Sequence, residues 1–171
     1  RQINFRGGIV VLNGEISGTA TSRVLFGAGA FGLTSGTLTL ANTANTYVGR
    51  TNADYINSGY TLEVTKLADG GSNSSIGTSS ANIGINGGTL KYIGSTGAQS
   101  TNLGLHIASS GASVSADGVT STDTISITGT PTYSAAGVRT ITLTGANLGD
   151  NTMGFAFGDN PTTGVYLDEQ P

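Results

Sequence analysis

Alternating leucine and threonine, bounded by glycine, form a short pattern that returns along the chain. The clearest copy spans residues 36–40, Gly-Thr-Leu-Thr-Leu, in which the two leucines face one way and the two threonines the other. This period of two is typical of a β-strand that buries one face. The pattern returns in residues 59–64 and 87–92, and its leucines at positions 38, 62 and 90 are 24 and 28 residues apart. Periods of this length predict a solenoid, in which one coil of strands and turns stacks on the next.

Asparagine and glycine stand where this pattern needs turns. Asn42 and Asn45 follow the first copy, and asparagine tolerates tight-turn backbone because its side chain can hydrogen-bond to that backbone. Tyr47 lies in a second short strand that Gly49 ends. Strand, turn, short strand and turn therefore make up the predicted coil.

The order of these motifs resembles the passenger-associated repeat of bacterial autotransporters. The resemblance rests on residues 36–40, on Asn-Thr-Tyr-Val-Gly at 45–49 and on Ile-Asn-Ser-Gly at 56–59. Residues 87–94 and 139–152 resemble the segments that follow in such proteins. The resemblance implies an all-β, right-handed parallel β-helix within a long bacterial protein that is exposed at the cell surface or secreted, in association with the outer membrane. It implies no enzyme activity, because such repeats usually form a shaft.

The whole chain is predicted to be one β-solenoid segment of a longer polypeptide. Residues 1–33 form the first coils in this interpretation, 34–94 the repeat, and 95–171 further coils. Low charge and abundant glycine would also suit a disordered chain. The recurring aliphatic alternation, 36% hydrophobic residues and only three prolines favour a folded β protein with many glycine turns.

Composition excludes several classes of partner and site. The net charge is −3, and seven lysines and arginines scattered over the chain cannot form the cationic surface that nucleic acid requires. Cysteine is absent, so there is neither a disulfide framework nor a thiolate metal site. No apolar run approaches the ~20 residues of a membrane-spanning helix.

Further strands are predicted from the same alternation, and no segment predicts a helix. Residues 8–14 indicate a buried strand, 15–17 and 23–26 further strands, 27–32 a corner, and 138–144 the clearest late strand. A turn at 158–161 and a last strand at 164–167 complete the chain. The predicted inward residues are Ile83, Ile85, Leu90, Tyr92, Leu103, Leu105, Ile107, Val114, Ile125 and Ile127.

The most polar segment, residues 68–80, is predicted to be a loop that projects from the solenoid. Insertions of this kind leave a coil on one face without disturbing the stack. If the chain has a loop that contacts a partner, its residues are Asp69, Ser72, Asn73 and Ser74. A flexible turn without a partner is the plainer interpretation.

No catalytic, cofactor-binding or metal-binding residue is predicted. His106 is the chain's single histidine and faces outward in the predicted strand, which is typical of a solvated surface residue. Zinc would need further histidine or cysteine ligands. Aspartate favours turns because it hydrogen-bonds locally, and this explains the positions of Asp117, Asp123, Asp150, Asp159 and Asp168.

These observations predict a non-enzymatic stalk or shaft segment of an adhesin-like surface protein or of an extracellular fibre. Its partners would be flanking coils of the same polypeptide, or identical chains, at the open ends of the β-helix, and surface glycans or a cell surface along its length. The alternatives are a carbohydrate-active β-helix enzyme, a phage tail-spike fragment and a sugar-binding module. An enzyme would bring two acids to one face within about 5–10 Å, and a sugar-binding module would present several tyrosines on one outer face.

Overall fold

The computed structural model describes residues 2–19, 22–26, 34–49 and 55–157, and this part of the chain is all-β. Every pairing between its named strands is parallel. The strands stack coil upon coil, which confirms the predicted parallel β-helix; right-handed connections are the rule for such crossovers. The predicted corner at 27–32, turn at 158–161 and strand at 164–167 lie outside the described residues.

The strands are short, and each coil contributes up to three of them. In chain order they are β1 (Gln2–Phe5), β2 (Gly8–Leu12), β3 (Arg23–Phe26), β4 (Gly36–Leu40), β5 (Ile56–Asn57), β6 (Tyr60–Val64), β7 (Ile83–Asn86), β8 (Thr89–Tyr92), β9 (Gln99–Thr101), β10 (Leu105–Ile107), β11 (Ala112–Ala116), β12 (Ile125–Ile127), β13 (Thr132–Tyr133), β14 (Ile141–Thr144) and β15 (Thr152–Met153).

Six of these strands form the central sheet, in the order β2-β4-β6-β8-β11-β14. A flanking sheet of β5-β7-β10-β13 covers a second face of the coil, β1 pairs with β3, and a third sheet contains β9-β12-β15. Residues in register in the central sheet are Val10, Leu38, Leu62, Leu90, Val114 and Leu143. Successive members of this row are 28, 24, 28, 24 and 29 residues apart in the sequence.

The core is the narrow space that the three sheets enclose. Leu38, Leu62 and Leu90 are at most 4% exposed, and a second inward row contains Leu40, Val64 and Tyr92. The flanking and third sheets complete the core, and every inward residue predicted between positions 83 and 127 is buried. These are Ile83, Ile85, Leu90, Tyr92, Leu103, Leu105, Ile107, Val114, Ile125 and Ile127.

The corner between the flanking and central sheets is tight and depends on glycine. Gly59, Gly87 and Gly111 occupy it in three successive coils with φ of +83°, +80° and +79°. A side chain is strained at such angles, and a Cβ at Gly59 would lie 2.2 Å from the backbone oxygen of Thr34. Glycine therefore fixes this corner in successive coils.

Asparagine side chains join neighbouring coils at the other turns. Asn45 is 1% exposed; its Oδ1 accepts from the Ile16 N–H at 2.7 Å and its Nδ2 donates to the Ser75 oxygen at 2.8 Å. Asn42 accepts from the Ala44 N–H within its own turn at 2.8 Å, as its position predicts. Backbone groups that cannot reach a strand partner are thus satisfied by amides from the adjacent coil.

The predicted burial of residues 8–14 is wrong, although the strand itself is present as β2. Ile9 is 85% exposed and Val11 52% exposed, because both point away from the core. Val10 faces inward and is still 38% exposed, since β2 pairs with β4 on one side and no described strand pairs with its other edge. Burial here depends on the neighbouring coil as well as on the side chain.

Three other predicted strands differ from the structure. The short strand predicted around Tyr47 is absent, because the N–H groups of Thr46 and Tyr47 both donate to the Ile16 oxygen, at 3.0 and 3.3 Å, and residues 46–49 belong to no strand. Residues 15–17 form no strand, because the Ile16 N–H is taken by Asn45 instead of a ladder partner. The late strand begins at Ile141, so that Val138 precedes it and is 77% exposed. Leu143 lies in the inward row and is nevertheless 54% exposed, since it belongs to the last described strand of the central sheet.

Candidate contact surface

The outer face of the central sheet is lined mostly by short hydroxyl side chains. Its first row contains, in register, Ile9, Thr37, Thr61, Thr89, Ser113 and Thr142. In the second row Thr39 Oγ1 donates to Glu63 Oε2 at 2.7 Å, and Lys91 Nζ lies 3.3 Å from Glu63 Oε1. Cross-strand pairs of this kind stabilise a sheet by a few tenths of a kcal/mol to about 1 kcal/mol each. This face is therefore a regular polar surface with one ion pair near its middle.

His106 is part of a polar row across the flanking sheet and is not a freely solvated residue. Its Nδ1 lies 2.7 Å from Thr132 Oγ1, and its Nε2 lies 3.0 Å from the Tyr55 hydroxyl. The ring centroids of Tyr55 and His106 are 5.6 Å apart at an interplanar angle of 31°. Gly84 pairs with His106 between them, and its lack of a side chain leaves room for the two rings to meet. The outward direction of His106 was predicted correctly, whereas its solvated state was not.

Hydrogen bonding around this row is consistent with a neutral imidazole. Asn82 Nδ2 donates to Thr132 Oγ1 at 3.2 Å, which leaves the threonine proton free to be donated to His106 Nδ1. In that arrangement His106 Nε2–H donates to the tyrosine oxygen. Partial burial lowers the pKa of His106, because the cation loses solvation there. The hydrogen bonds between His106 and its partners Tyr55 and Thr132 join coils along the flanking sheet, and we call this row of three side chains the lateral clamp.

The polar segment 68–80 is packed on the solenoid over much of its length, so the prediction that it projects is wrong. Ser74 is 1% exposed, and its hydroxyl donates to the Gly77 oxygen at 2.8 Å and accepts from the Ile76 N–H. Ser75 is fully buried and binds Thr65 and Lys66 through its hydroxyl. These polar groups are buried because the backbone of adjoining turns supplies their partners.

The proposed contact residues of this segment therefore differ in accessibility. Ser72 and Asn73 are exposed. Asp69 is exposed as well, and its Oδ1 accepts from the Asn102 N–H of the next coil at 2.8 Å. Ser74 is not available to a partner. Contact through Asp69, Ser72 and Asn73 stays a prediction.

Two of the predicted turn carboxylates, Asp123 and Asp117, act as backbone acceptors. Asp123 is 2% exposed and accepts from the Gly97 N–H at 2.6 Å and from the N–H and hydroxyl of Thr120, both at 2.7 Å. The hydrogen bond from the Thr120 hydroxyl, followed by those from the two backbone N–H groups, lowers the pKa of Asp123. Asp117 accepts from the Ala146 N–H and from the Ser115 hydroxyl. The buried position of Asp123 could not be read from its sequence neighbours.

Most of the described tyrosines lie in the core. Tyr47, Tyr60 and Tyr92 are at most 5% exposed, and burial raises the pKa of Tyr47 and Tyr92. A sugar-binding module would need several tyrosines on one outer face, and of Tyr47, Tyr55, Tyr60 and Tyr92 it is Tyr55 that reaches the outer face. Within the described ranges no group of three or more histidine, cysteine or acidic side chains is placed to hold a metal ion, and no helix has the length and apolarity to cross a bilayer.

Comparison with known proteins gives one informative similarity. The chain is 38% identical over 157 residues to the "Adhesin BmaC autotransporter" of Brucella suis biovar 1 (strain 1330). The match covers 89% of this chain and 4% of that protein, so the chain spans only a small part of the relative's length. No family model and no solved structure matches the chain.

Proposed function

This chain is a β-solenoid segment of the autotransporter passenger type, and we propose that it serves as a shaft segment in the surface-exposed or secreted part of an adhesin-like bacterial protein. The observation that carries the proposal is the central sheet, in which six strands keep one register from β2 to β14. Its inward rows form the core, its outer rows carry short polar side chains, and the described turn acids Asp117 and Asp123 are engaged with backbone. Such a segment supports spacing and rigidity, and needs no catalytic group.

Further coils are proposed to cover both ends of the described stack. Val10 and Leu143 belong to the inward row, yet both are far more exposed than Leu62 or Leu90 between them. An apolar cavity of about 70 Å³ opens beside Leu143 and is lined also by Met153. Flanking coils of the same polypeptide, or an identical chain, would bury these side chains and pair the free strand edges.

Contact along the shaft is proposed at the exposed part of the polar segment. Asp69, Ser72 and Asn73 lie on the surface while the neighbouring Ser74 and Ser75 anchor the segment to the coil. An anchored turn loses little conformational entropy when it binds, which favours contact with a surface glycan or a cell-surface protein. This contact is secondary to the shaft role.

The test removes one whole coil from the parent polypeptide. Leu90 and Val114 are in register, so deleting residues 91–114 joins Leu90 to Ser115, keeps the inward and outward alternation and leaves the polar segment 68–80 in place. The matched control deletes residues 91–115, which joins Leu90 to Ala116 and so places a buried residue at an outward position and shifts the chain that follows by one residue. We expect the first deletion to remain protease-resistant and displayed at the cell surface, and the second to become protease-sensitive.

An adhesion assay on the same cells then shows whether the deleted coil acts as a spacer or as a binding site. A shaft with one coil fewer should retain adhesion in cells that display it at normal levels. Lost adhesion with intact display would refute the shaft role for this segment. If Asn73→Ala and Ser72→Ala caused the same loss in the full-length protein, the polar segment would instead be the binding site.

A further inference from the structure

Two Asn-Gly dipeptides occur in the chain, and the structure places them in opposite environments. They are Asn13-Gly14, after β2, and Asn86-Gly87, at the end of β7. Asn-Gly is the sequence in which a backbone nitrogen most readily attacks the preceding side-chain amide, because glycine has no Cβ to hinder the approach and leaves the backbone free to rotate. Whether the attack occurs depends on how firmly each dipeptide is held.

Asn86-Gly87 is held at all the groups that would have to move. Asn86 Nδ2 donates to Asn57 Oδ1 at 3.2 Å, and Asn86 Oδ1 accepts from the Ser110 N–H at 3.2 Å. The attacking nitrogen, that of Gly87, donates to the Gly111 oxygen at 2.8 Å. Ring closure at Asn86 would break these three hydrogen bonds and distort a tight corner between two sheets.

Asn13-Gly14 lies at an exposed bend, and neither residue is in a strand. Within the described ranges, the Gly14 N–H and the Asn13 side-chain amide take part in no hydrogen bond, and a Cβ on Gly14 would have no atom within 4 Å. One contact touches the dipeptide: Asn42 Nδ2 donates to the backbone oxygen of Asn13 at 3.1 Å. The amide and the attacking nitrogen are therefore free to approach each other.

We propose that Asn13 is a site of spontaneous deamidation in the native protein, whereas Asn86 is protected by the fold. The Gly14 nitrogen attacks Cγ of Asn13 and loses its proton, and the side-chain nitrogen leaves as ammonia. The product is a five-membered succinimide. Water then opens either of its carbonyls and gives aspartate or isoaspartate, so that the net change is one water consumed and one ammonia released.

The modification would loosen the corner that joins the first two strands of the central sheet. The Ala41 N–H donates to the Leu12 oxygen at 3.0 Å immediately before this site, and Asn42 Nδ2 donates to the Asn13 oxygen at 3.1 Å. Isoaspartate lengthens the backbone by one methylene group, which displaces the oxygen that Asn42 binds. The new carboxylate also adds negative charge two residues from Glu15 in a chain whose net charge is already −3. This inference does not rest on the proposed shaft role.

The experiment compares the two dipeptides within one molecule. The purified chain is incubated at 37 °C and mildly alkaline pH, both folded and in concentrated urea, and conversion is followed by peptide mapping and by enzymatic methylation of isoaspartate. In urea, we expect Asn13 and Asn86 to convert at similar rates. In the folded protein, Asn13 should convert about tenfold faster than Asn86 or more, the equivalent of one or two hydrogen bonds that must break first.

Gly14→Ala is the matched variant. The site has room for the added Cβ, and Gly14 does not adopt the left-handed backbone that an alanine would resist. The variant should therefore fold normally and convert several-fold more slowly at Asn13, while Asn86 is unaffected. Equal rates at the two sites in the folded protein, or protection of Asn13, would overturn the proposal.

Discussion

Leu90 and Leu143 occupy the same row of the central sheet, and the same substitution should cost very different amounts at the two positions. Leu90 is 1% exposed and pairs on both sides, with Leu62 and with Val114. Truncation to alanine removes a buried aliphatic side chain, worth about 1.5–3 kcal/mol of transfer free energy. It also leaves a cavity between rungs that cannot collapse freely, so that a total of about 3–4 kcal/mol is expected for Leu90→Ala, within the usual range for such changes.

Leu143 is 54% exposed, so only about half of the transfer term applies and little cavity is formed. We expect Leu143→Ala to lower the free energy of unfolding by about 1 kcal/mol. Thr89→Ala, on the outer face beside Leu90, should change it by about 0.5 kcal/mol or less. Urea unfolding followed by far-ultraviolet circular dichroism measures all three, provided that the m-value is unchanged. Equal losses for Leu90→Ala and Leu143→Ala would refute the argument that burial depends on coils stacked on both sides.

Three further outcomes can be measured in the same assay. Asn45→Ala should lower the free energy of unfolding by about 2–4 kcal/mol, because it leaves the Ile16 N–H and the buried Ser75 oxygen without their partner. A smaller loss for Asn42→Ala, at a half-buried position, is the control. The lowered pKa of His106 means that the folded state binds fewer protons than the unfolded state, so the free energy of unfolding should fall as the pH drops from about 7.5 to 5.5. A His106→Gln variant that lacks this pH dependence would support the assignment, and one that keeps it would contradict it. Asp123 has a lowered pKa, so its contribution to the free energy of unfolding is present above the ordinary aspartate pKa and is lost as the pH falls through the pKa of the folded state. The Asp123→Asn variant should be less stable at neutral pH and should lose less stability on acidification. An acid response identical to that of the unmodified chain would disprove the role given to the hydrogen bonds of Asp123.

The inward residues could be predicted from the sequence because their periodicity is local. Leu38, Leu62 and Leu90 each alternate with threonine, and the direction of a side chain in a strand follows from its position alone. Burial from solvent cannot be predicted in the same way, because it requires a neighbouring coil. Val10 and Leu143 are apolar members of the inward row, and they are exposed because each lies in the first or last described strand of the central sheet.

Polar burial and weak strands depend on partners that are distant in sequence. Ser75 has no apolar neighbour pattern that would predict a fully buried residue; its hydroxyl is placed by Thr65 and Lys66. Likewise β9, Gln-Ser-Thr, shows no aliphatic alternation and is a strand because β12 pairs with it. The lateral clamp at His106 was missed for the same reason, although the glycine at position 84 was a signal that bulky side chains could meet above it.

The absence of hairpins among the described strands also determines how such a chain can acquire its structure. Even the smallest register offset, from Gln2 to Arg23, closes a loop of 21 residues, and pairs in the central sheet close 24 or more. The first two coils must therefore lose this loop-closure entropy before the hydrogen bonds between their strands can form, and this makes nucleation slow. Every later coil meets an edge already in place and adds to it by nearest-neighbour contacts alone. Growth is thus templated and sequential, and a chain supplied from one end would order its coils in the sequence in which they arrive.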